Sequence, residues 1–290
     1  EYTSALKKLA KAYADGRQHD RAAELYLEYA RIFKEKCENS GDSDQANEAV
    51  WGNIYACDVL INMLDYTAAE VAANAALKIA EKLAEKYPDD PEMQRDLSVS
   101  YSRLGDVAEA MNDYNAAEGY YAKALEIGKR LAEKYPEDPQ MQLDLSVSYN
   151  NLGGIAEARN DYKAAEGYYA KALEIGERLA EKYPDDPEMQ LDLSVSYNNL
   201  GGIAEARNDY KAAEGYYSKA LEISERLAEK YPDDPNLQRD LSVSYGNLGD
   251  IAKARNDYKA AEGYYAKALE IDERLAEKYP DDPNLQRDLS

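Results

Sequence analysis

The chain has 290 residues, of which 44% are hydrophobic and 32% are charged, and its formal net charge at pH 7 is −22. This apolar fraction is enough to build a folded core, whereas the negative charge argues against nucleic acid and anionic membrane surfaces as partners, because their phosphates would be repelled. No apolar run approaches the roughly 20 residues of a membrane-spanning helix, and Cys37 and Cys57 are too few for a disulfide framework, so we expect a reducing, cytoplasmic location.

An internal repeat of 48 residues organises the chain. The segment LAEKYPDDP begins at Leu83 and recurs in near-identical form at Leu131, Leu179, Leu227 and Leu275. A fixed period of this length is typical of arrays of small supersecondary units. In chain order we predict a divergent N-terminal helical hairpin at 1–42, a degenerate repeat at 43–90, regular repeats at 91–138, 139–186, 187–234 and 235–282, and the truncated start of a further repeat at 283–290.

Each regular unit is predicted to contain two helices, as 139–186 illustrates. Asp138 followed by a proline is a typical helix start, because the aspartate caps the helix and the first position needs no backbone donor. Apolar residues then recur at helical spacing, as Leu145, Tyr149, Leu152 and Ala156. Asn160 and Asp161 break the pattern, and a second helix is predicted to run to Tyr183, where the next proline stops it.

The residues at the expected helix contacts resemble the tetratricopeptide repeat. One regular unit carries the family's aromatic, Leu-Gly, Ala, aromatic and Ala positions as Tyr149, Leu152, Gly153, Ala165, Tyr169 and Ala172. The pattern recurs from three further tyrosines, which are Tyr101, Tyr197 and Tyr245. It is weak in 43–90, where Asn53, Ala56 and Cys57 replace the tyrosine, leucine and glycine.

This resemblance implies an all-α fold, an α-solenoid in which antiparallel helical hairpins form a right-handed superhelix. Small residues such as Gly153 and Ala165 would lie where the two helices of a hairpin touch. The repeat departs from the family because it is about 14 residues longer than the usual 34, which implies longer helices.

The sequence lacks the motifs of catalytic and cofactor sites. It contains no Gly-rich phosphate-binding loop and no nucleophile elbow. Its single histidine, His19, is predicted to lie in the solvated loop of the first hairpin, and the two cysteines do not form a paired CxxC ligand motif. We therefore expect no enzyme activity, no cofactor and no metal site.

In the tetratricopeptide family the first helix of each hairpin lines the concave surface, so the resemblance implies a protein or peptide partner there. The candidate peptide-binding residues on this face are Arg103, Asp106, Glu109, Asn150, Asn151, Glu157, Asn198, Asn199, Glu205, Asn247, Asp250 and Lys253. An asparagine presents donors and an acceptor and can hold a peptide backbone. The glutamates form an acidic row beside the asparagines, so the peptide should be extended and neutral to basic. These polar residues could equally solvate an exposed helix face.

Two other functions fit the same sequence. The array could be a structural or assembly-forming rod, natural or consensus-engineered, without a specific ligand. The string DLSVSYNNLG also resembles long tetratricopeptide repeats beside signalling NTPase modules, which implies a sensor region of a larger protein. A truncated repeat at 283–290 would leave apolar surface of 235–282 bare, so we also expect weak self-association through the C-terminal end.

Overall fold

A computed structural model gives the backbone of residues 2–40 and 42–279, and the side chains of all of these except 38–40. Within these residues the regular structure is entirely α-helical, as expected. In chain order the helices are α1 (Tyr2–Asp15), α2 (His19–Ser40), α3 (Ser43–Asn62), α4 (Tyr66–Lys86), α5 (Pro91–Ala110), α6 (Tyr114–Lys134), α7 (Pro139–Ala158), α8 (Tyr162–Lys182), α9 (Pro187–Ala206), α10 (Tyr210–Lys230), α11 (Pro235–Ala254) and α12 (Tyr258–Lys278). The predicted repeat start at 283–290, and the self-association expected from it, lie outside the described residues.

An Asn-Asp pair forms the turn inside each regular hairpin. After α7, Asn160 adopts a left-handed φ of 61°, a conformation that asparagine tolerates better than most residues. The side chain of Asp161 then caps α8 by accepting a hydrogen bond from the backbone N–H of Ala164. The predicted break at these two residues is confirmed.

An Asp-Pro pair starts the first helix of a regular hairpin. A side-chain oxygen of Asp186 accepts hydrogen bonds from the backbone N–H groups of Glu188 and Met189, at 2.9 and 3.4 Å. Pro187 occupies the first turn, where its missing N–H costs nothing. The start of the hairpin and the turn between its two helices are therefore set by local sequence.

The helices fall into two compact units, residues 1–148 and 149–290, and α7 contributes to both. In the first unit every helix from α1 to α5 packs against the next one, and α3 also packs against α5. Its core is rich in small side chains, including Ala22, Ala56, Ala69, Ala72 and Ala73, with Leu60 and Leu104. In the second unit each helix from α8 to α11 packs against the next one. Its core includes Tyr197, Tyr217, Ile223, Leu227, Leu248 and Ile251.

A chain of helices in which each packs against its sequence neighbours is an α-solenoid. The all-α solenoid expected from the sequence is therefore the observed fold, whereas the right-handed superhelix stays a prediction. No helix in the described part of the chain is long and apolar enough to cross a membrane. One local expectation was wrong: α2 begins at His19, so this histidine is part of a helix and partly buried.

Candidate binding face of the first helices

In each regular hairpin a glycine of the first helix lies against a tyrosine ring of the second helix. A Cβ atom at Gly201 would lie 2.5 Å from Cε1 of Tyr217, far closer than carbon atoms approach. The same contact pairs Gly105 with Tyr121, Gly153 with Tyr169 and Gly249 with Tyr265. The contact glycines expected from the sequence are therefore required for the close approach of ring and helix.

The hydroxyl of each of these tyrosines donates to a carboxylate on the first helix. Tyr169 donates to Glu157 at 2.8 Å, and Tyr217 donates to Glu205 at 3.0 Å. Equivalent bonds run from Tyr121 to Asp106 and Glu109, both at 2.8 Å, and from Tyr265 to Asp250 at 2.6 Å. All five acidic candidate residues predicted for this face therefore accept a hydrogen bond from a tyrosine hydroxyl.

These hydroxyls stay protonated donors at neutral pH. Burial is the main cause that raises the pKa of Tyr217 above its usual value, and the Glu205 carboxylate raises it further. Burial likewise raises the pKa of Tyr265 to about 12. Burial also raises the pKa of Glu109, while the hydrogen bond from Tyr121 partly offsets that shift.

The asparagines bond to one another across neighbouring repeats. In the second unit the side-chain amide of Asn199 donates to Oδ1 of Asn150 at 3.2 Å. The amide of Asn247 donates to Oδ1 of Asn198 at 3.3 Å. Asn150 is buried, and its own amide donates to Ser196 at 3.3 Å. Much of the hydrogen-bonding capacity of this row is therefore used within the array.

Two candidate residues on this face are not held by another side chain of the described part of the protein. Asn151 is half-buried and Lys253 is exposed. Among the described residues, neither side chain has a hydrogen-bond or ion-pair partner. Asn151 therefore keeps its full amide capacity for a ligand.

Arg103 occupies the asparagine position in the first unit and forms a charge cluster. Its Nε lies 2.5 Å from Oδ1 of Asp58, and its Nη1 lies 2.9 Å from Oδ2 of Asp106. Burial raises the pKa of Asp58 to about 6, although the Arg103 guanidinium acts in the opposite direction. The arginine is thus engaged by two carboxylates.

Sequence reasoning missed the tyrosines as positioning residues for the acidic row. The tetratricopeptide pattern includes Tyr169 as one of its aromatic positions, and its ring does contact Gly153, but the pattern does not specify a partner for the hydroxyl. The constant spacing of 12 residues from Glu157 to Tyr169 and from Glu205 to Tyr217 was an available signal. Asp58 was also missed, because it lies in the degenerate repeat.

Comparison with known proteins settles which family these hairpins represent. One tetratricopeptide repeat profile matches residues 96–178 and 192–274, and a second matches residues 65–123. The chain belongs to the tetratricopeptide repeat family. Tetratricopeptide repeat proteins are generally protein-interaction scaffolds, and their repeats are typically non-catalytic.

Solved structures of other proteins have a similar fold. BtubC (BKLC) from P. vanneervenii is 26% identical, and the match covers 88% of this chain and 92% of that chain with a TM-score of 0.65. PilW, a type IV pilus biogenesis factor, is 16% identical over 100% of this chain and 99% of that chain, with a TM-score of 0.53. A Rap protein complexed with Competence and Sporulation Factor is 16% identical over 94% and 75%, with a TM-score of 0.50. No curated protein matches the chain significantly by sequence.

The described residues contain no cluster of three or more His, Cys, Asp or Glu side chains that could hold a metal ion. The carboxylates on the first helices of the hairpins instead accept hydrogen bonds from tyrosine hydroxyls. A carboxylate has about four acceptor positions, so each one keeps acceptor capacity after receiving a single hydroxyl bond.

Proposed function

We propose that this chain is a protein-binding scaffold whose first-helix face holds an extended peptide of neutral to basic charge. The first-helix face is the surface formed by the candidate residues of the second unit, which lie on α7, α9 and α11. The observation that carries the proposal is the row of carboxylates fixed by tyrosine hydroxyls, as at Glu157 and Glu205.

A fixed carboxylate is a better acceptor for a ligand than a freely rotating one. The hydroxyl bond limits the rotamers of the glutamate before any ligand arrives, so less conformational entropy is lost on binding. The remaining acceptor positions suit backbone N–H groups, lysine or arginine. Asn151 adds donors and an acceptor suited to an extended backbone.

The repeat favours a ligand that is itself extended. Glu157 and Glu205 occupy equivalent places on successive first helices, one repeat apart. A peptide in extended conformation presents backbone donors at regular intervals along its length. A compact ligand would contact only one member of such a row.

Calorimetric titration with two peptide pools tests the proposal. Both pools contain unstructured 12-residue peptides, one rich in lysine and the other rich in glutamate. We expect tighter binding of the lysine-rich pool. The double variant Glu157→Gln, Glu205→Gln keeps acceptors for the tyrosines but removes two charges, and should weaken this binding by roughly tenfold, or about 1.4 kcal/mol.

A matched control makes the same change on the second helices of the same repeats. Glu174→Gln with Glu222→Gln alters two exposed glutamates of α8 and α10, and should leave the affinity unchanged. Asn151→Ala should also weaken binding. Tighter binding of the acidic pool, or equal affinities for the two double variants, would contradict the proposed site and favour a structural rod.

A further inference from the structure

A half-open cavity of about 590 Å³ lies between α2, α3 and α4 in the first unit. Small and aliphatic side chains form much of its wall, including Leu27, Ala30, Ala46, Ala49, Ile79 and Leu83. At Ala30, one of the lining residues, α2 and α3 are in close contact, because a Cβ atom at Gly52 would lie 2.9 Å from that of Ala30. Volumes of about 300–1,000 Å³ with mostly apolar walls are typical of small-molecule sites.

The equivalent groove in a regular repeat is filled by a tyrosine. Between α8 and α10, the Tyr197 hydroxyl donates to Glu177 of α8 at 2.7 Å. The ammonium group of Lys219, on α10, lies 4.8 Å from the centre of the same ring. Tyr245 makes the corresponding contacts with Glu225 and Lys267 in the next repeat.

The degenerate repeat lacks the larger side chains that the regular repeats have in this groove. Seven cavity-lining positions of the degenerate repeat differ from the residue type that all four regular repeats share. Two of them are Ser43 in place of proline and Lys82 in place of arginine. The other five are Ala46 in place of glutamine, Ala49 in place of leucine, Asn53 in place of tyrosine, Ala75 in place of lysine and Lys78 in place of glutamate. Four of these five changes shorten the side chain. Shortening core side chains without refilling the space normally lowers stability, so the concentration of these changes around one cavity indicates a ligand site.

Cationic side chains also line the cavity, and one of them, Lys78, replaces a glutamate of the regular repeats. Lys34, Lys78 and Lys82 line it, and within the described residues none of the three forms an ion pair. In a regular repeat the arginine equivalent to Lys82 donates to a glutamine, as Arg274 does to Gln238 at 2.5 Å. Alanine replaces that glutamine here, so Lys82 lacks this partner.

The one acidic residue among the lining residues is already engaged. The side chain of Asp42 accepts hydrogen bonds from the backbone N–H of Asp44 and from Nε2 of Gln45, both at 3.0 Å. It caps α3 rather than neutralising the lysines. A cationic rim around apolar walls is unusual in a chain with a net charge of −22, and it is complementary to an anion with an apolar body.

We propose that this cavity binds a small amphipathic anion, an apolar chain that ends in a carboxylate. The chain occupies the space that tyrosine fills in the regular repeats. The carboxylate lies at the rim among Lys34, Lys78 and Lys82. This site is separate from the first-helix face and does not depend on the peptide-binding function.

Decanoate, used below its micelle concentration, is the probe for this site. Calorimetric titration of the full chain should detect decanoate binding and little or no binding of decyltrimethylammonium, which has the same apolar chain and the opposite charge. Asn53→Tyr restores the filling side chain and should weaken decanoate binding at least tenfold. Ala49→Leu should act in the same direction, and circular dichroism checks that each variant is folded.

A matched pair of variants tests whether the positive charge at the rim contributes to decanoate binding. Lys78→Glu restores the residue type of the regular repeats and should weaken decanoate binding at least fivefold. Lys163→Glu makes the same charge change at an exposed position of α8, and should leave the affinity for decanoate unaltered.

Cys37 lines the cavity and provides a second readout. Decanoate should slow its reaction with N-ethylmaleimide. Cys57 stays unreactive because it is fully buried and burial raises its pKa to about 12. Equal binding of the cationic analogue, unchanged decanoate affinity in both folded cavity-filling variants, or absence of both binding heat and Cys37 protection would overturn the proposal. Occupation only by an acidic peptide would overturn it as well.

Discussion

At the scale of single residues, the contact inside each hairpin depends on complementary sizes. Regular repeats pair a glycine with a tyrosine, as Gly105 with Tyr121. At the equivalent positions the degenerate repeat has Cys57 and Ala73, both fully buried. The larger side chain of the pair is on the first helix in the degenerate repeat and on the second helix in the regular repeats. The two helices of the hairpin can therefore stay in contact with the bulkier group on either one.

Gly201→Ala should therefore destabilise the protein, whereas Gly215→Ala in the same repeat should not. The new Cβ at position 201 would lie 2.5 Å from the Tyr217 ring, while at 215 it would meet nothing within 4 Å. We expect a loss of about 1–3 kcal/mol for the first variant. The second should gain up to about 1 kcal/mol, because alanine is the better helix former. Urea unfolding measures both, and equal midpoints would rule out the tight contact.

The packing role of these residues could be predicted from the sequence, but the hydrogen bonds could not. The resemblance to the tetratricopeptide pattern implies that Gly153 lies at a helix contact and that Tyr169 is one of the aromatic positions of the same hairpin. Where the Tyr169 hydroxyl emerges depends on the crossing of two helices, which spacing within one chain segment does not specify. The pairing of Asn150 with Asn199 depends in the same way on the distance between neighbouring repeats.

At the scale of helices, the first helices are buried on more sides than a single apolar stripe predicts. In α9, Ser194 and Ser196 are buried although they lie outside the stripe of leucine and tyrosine. Ser194 donates to the carbonyl of Ala220 at 3.4 Å, and Gln190 donates to the carbonyl of Ala180 at 3.2 Å. Sequence periodicity distinguishes apolar from polar faces, so it cannot identify a polar face that is buried by a neighbouring helix.

A buried carboxylate links α3 to α5 in the first unit. Asp96 is 2% exposed, and its Oδ1 accepts a hydrogen bond from Nε1 of Trp51 at 3.0 Å, while its Oδ2 has no partner. Burial raises the pKa of Asp96 from 3.8 to about 7, although Arg95 and the tryptophan act in the opposite direction. The charged form of Asp96 is therefore unfavourable in the folded state.

The free energy of unfolding should fall as pH rises from 5.5 to 8.5. Because the folded-state pKa of Asp96 exceeds its unfolded value, its stabilising contribution is complete below about pH 4 and is lost as pH rises through about 7. Asp58, with a pKa raised to about 6, acts in the same direction. Asp96→Asn should be more stable than the parent chain at pH 8.5, by on the order of 2–4 kcal/mol.

Urea unfolding at several pH values measures this difference between Asp96→Asn and the parent chain. The advantage of the variant should shrink toward pH 5.5, because protonation removes the same charge. Asp89→Asn is the control, since its carboxylate is 99% exposed. A constant difference across the pH range would show that Asp96 does not titrate as proposed.

At the scale of the whole molecule, charge opposes folding while the repeats supply the contacts. The net charge of −22 is spread over helices that carry glutamates at equivalent exposed positions in successive repeats. Such charges repel one another, and the repulsion is screened over about 8 Å at physiological ionic strength. The helices and their order could be predicted from the 48-residue period, because helix starts and turns are encoded locally. The handedness of the array depends on many small rotations between repeats and stays a prediction.

Raising NaCl from 20 to 300 mM should raise the thermal unfolding midpoint by a few degrees, because screening weakens this repulsion. Differential scanning calorimetry measures the shift. A variant with four exposed glutamates changed to glutamine should have a higher unfolding midpoint at 20 mM NaCl. Its midpoint should also rise less when the salt concentration is increased. Suitable equivalent positions are Glu133, Glu181, Glu229 and Glu277. A midpoint that falls with salt would mean that attractive ion pairs dominate instead.

The indole of Trp51 makes the protein spectroscopically asymmetric. It is the one tryptophan in the sequence, and it lies in α3, within the first unit. Fluorescence excited at the red edge of indole absorption therefore reports on residues 1–148 alone, whereas helical circular dichroism reports on both units. Unfolding curves that separate between the two signals would resolve the first unit from the second without any label. Since the indole N–H bonds to Asp96, the emission of the folded protein also provides a direct optical titration of that carboxyl group.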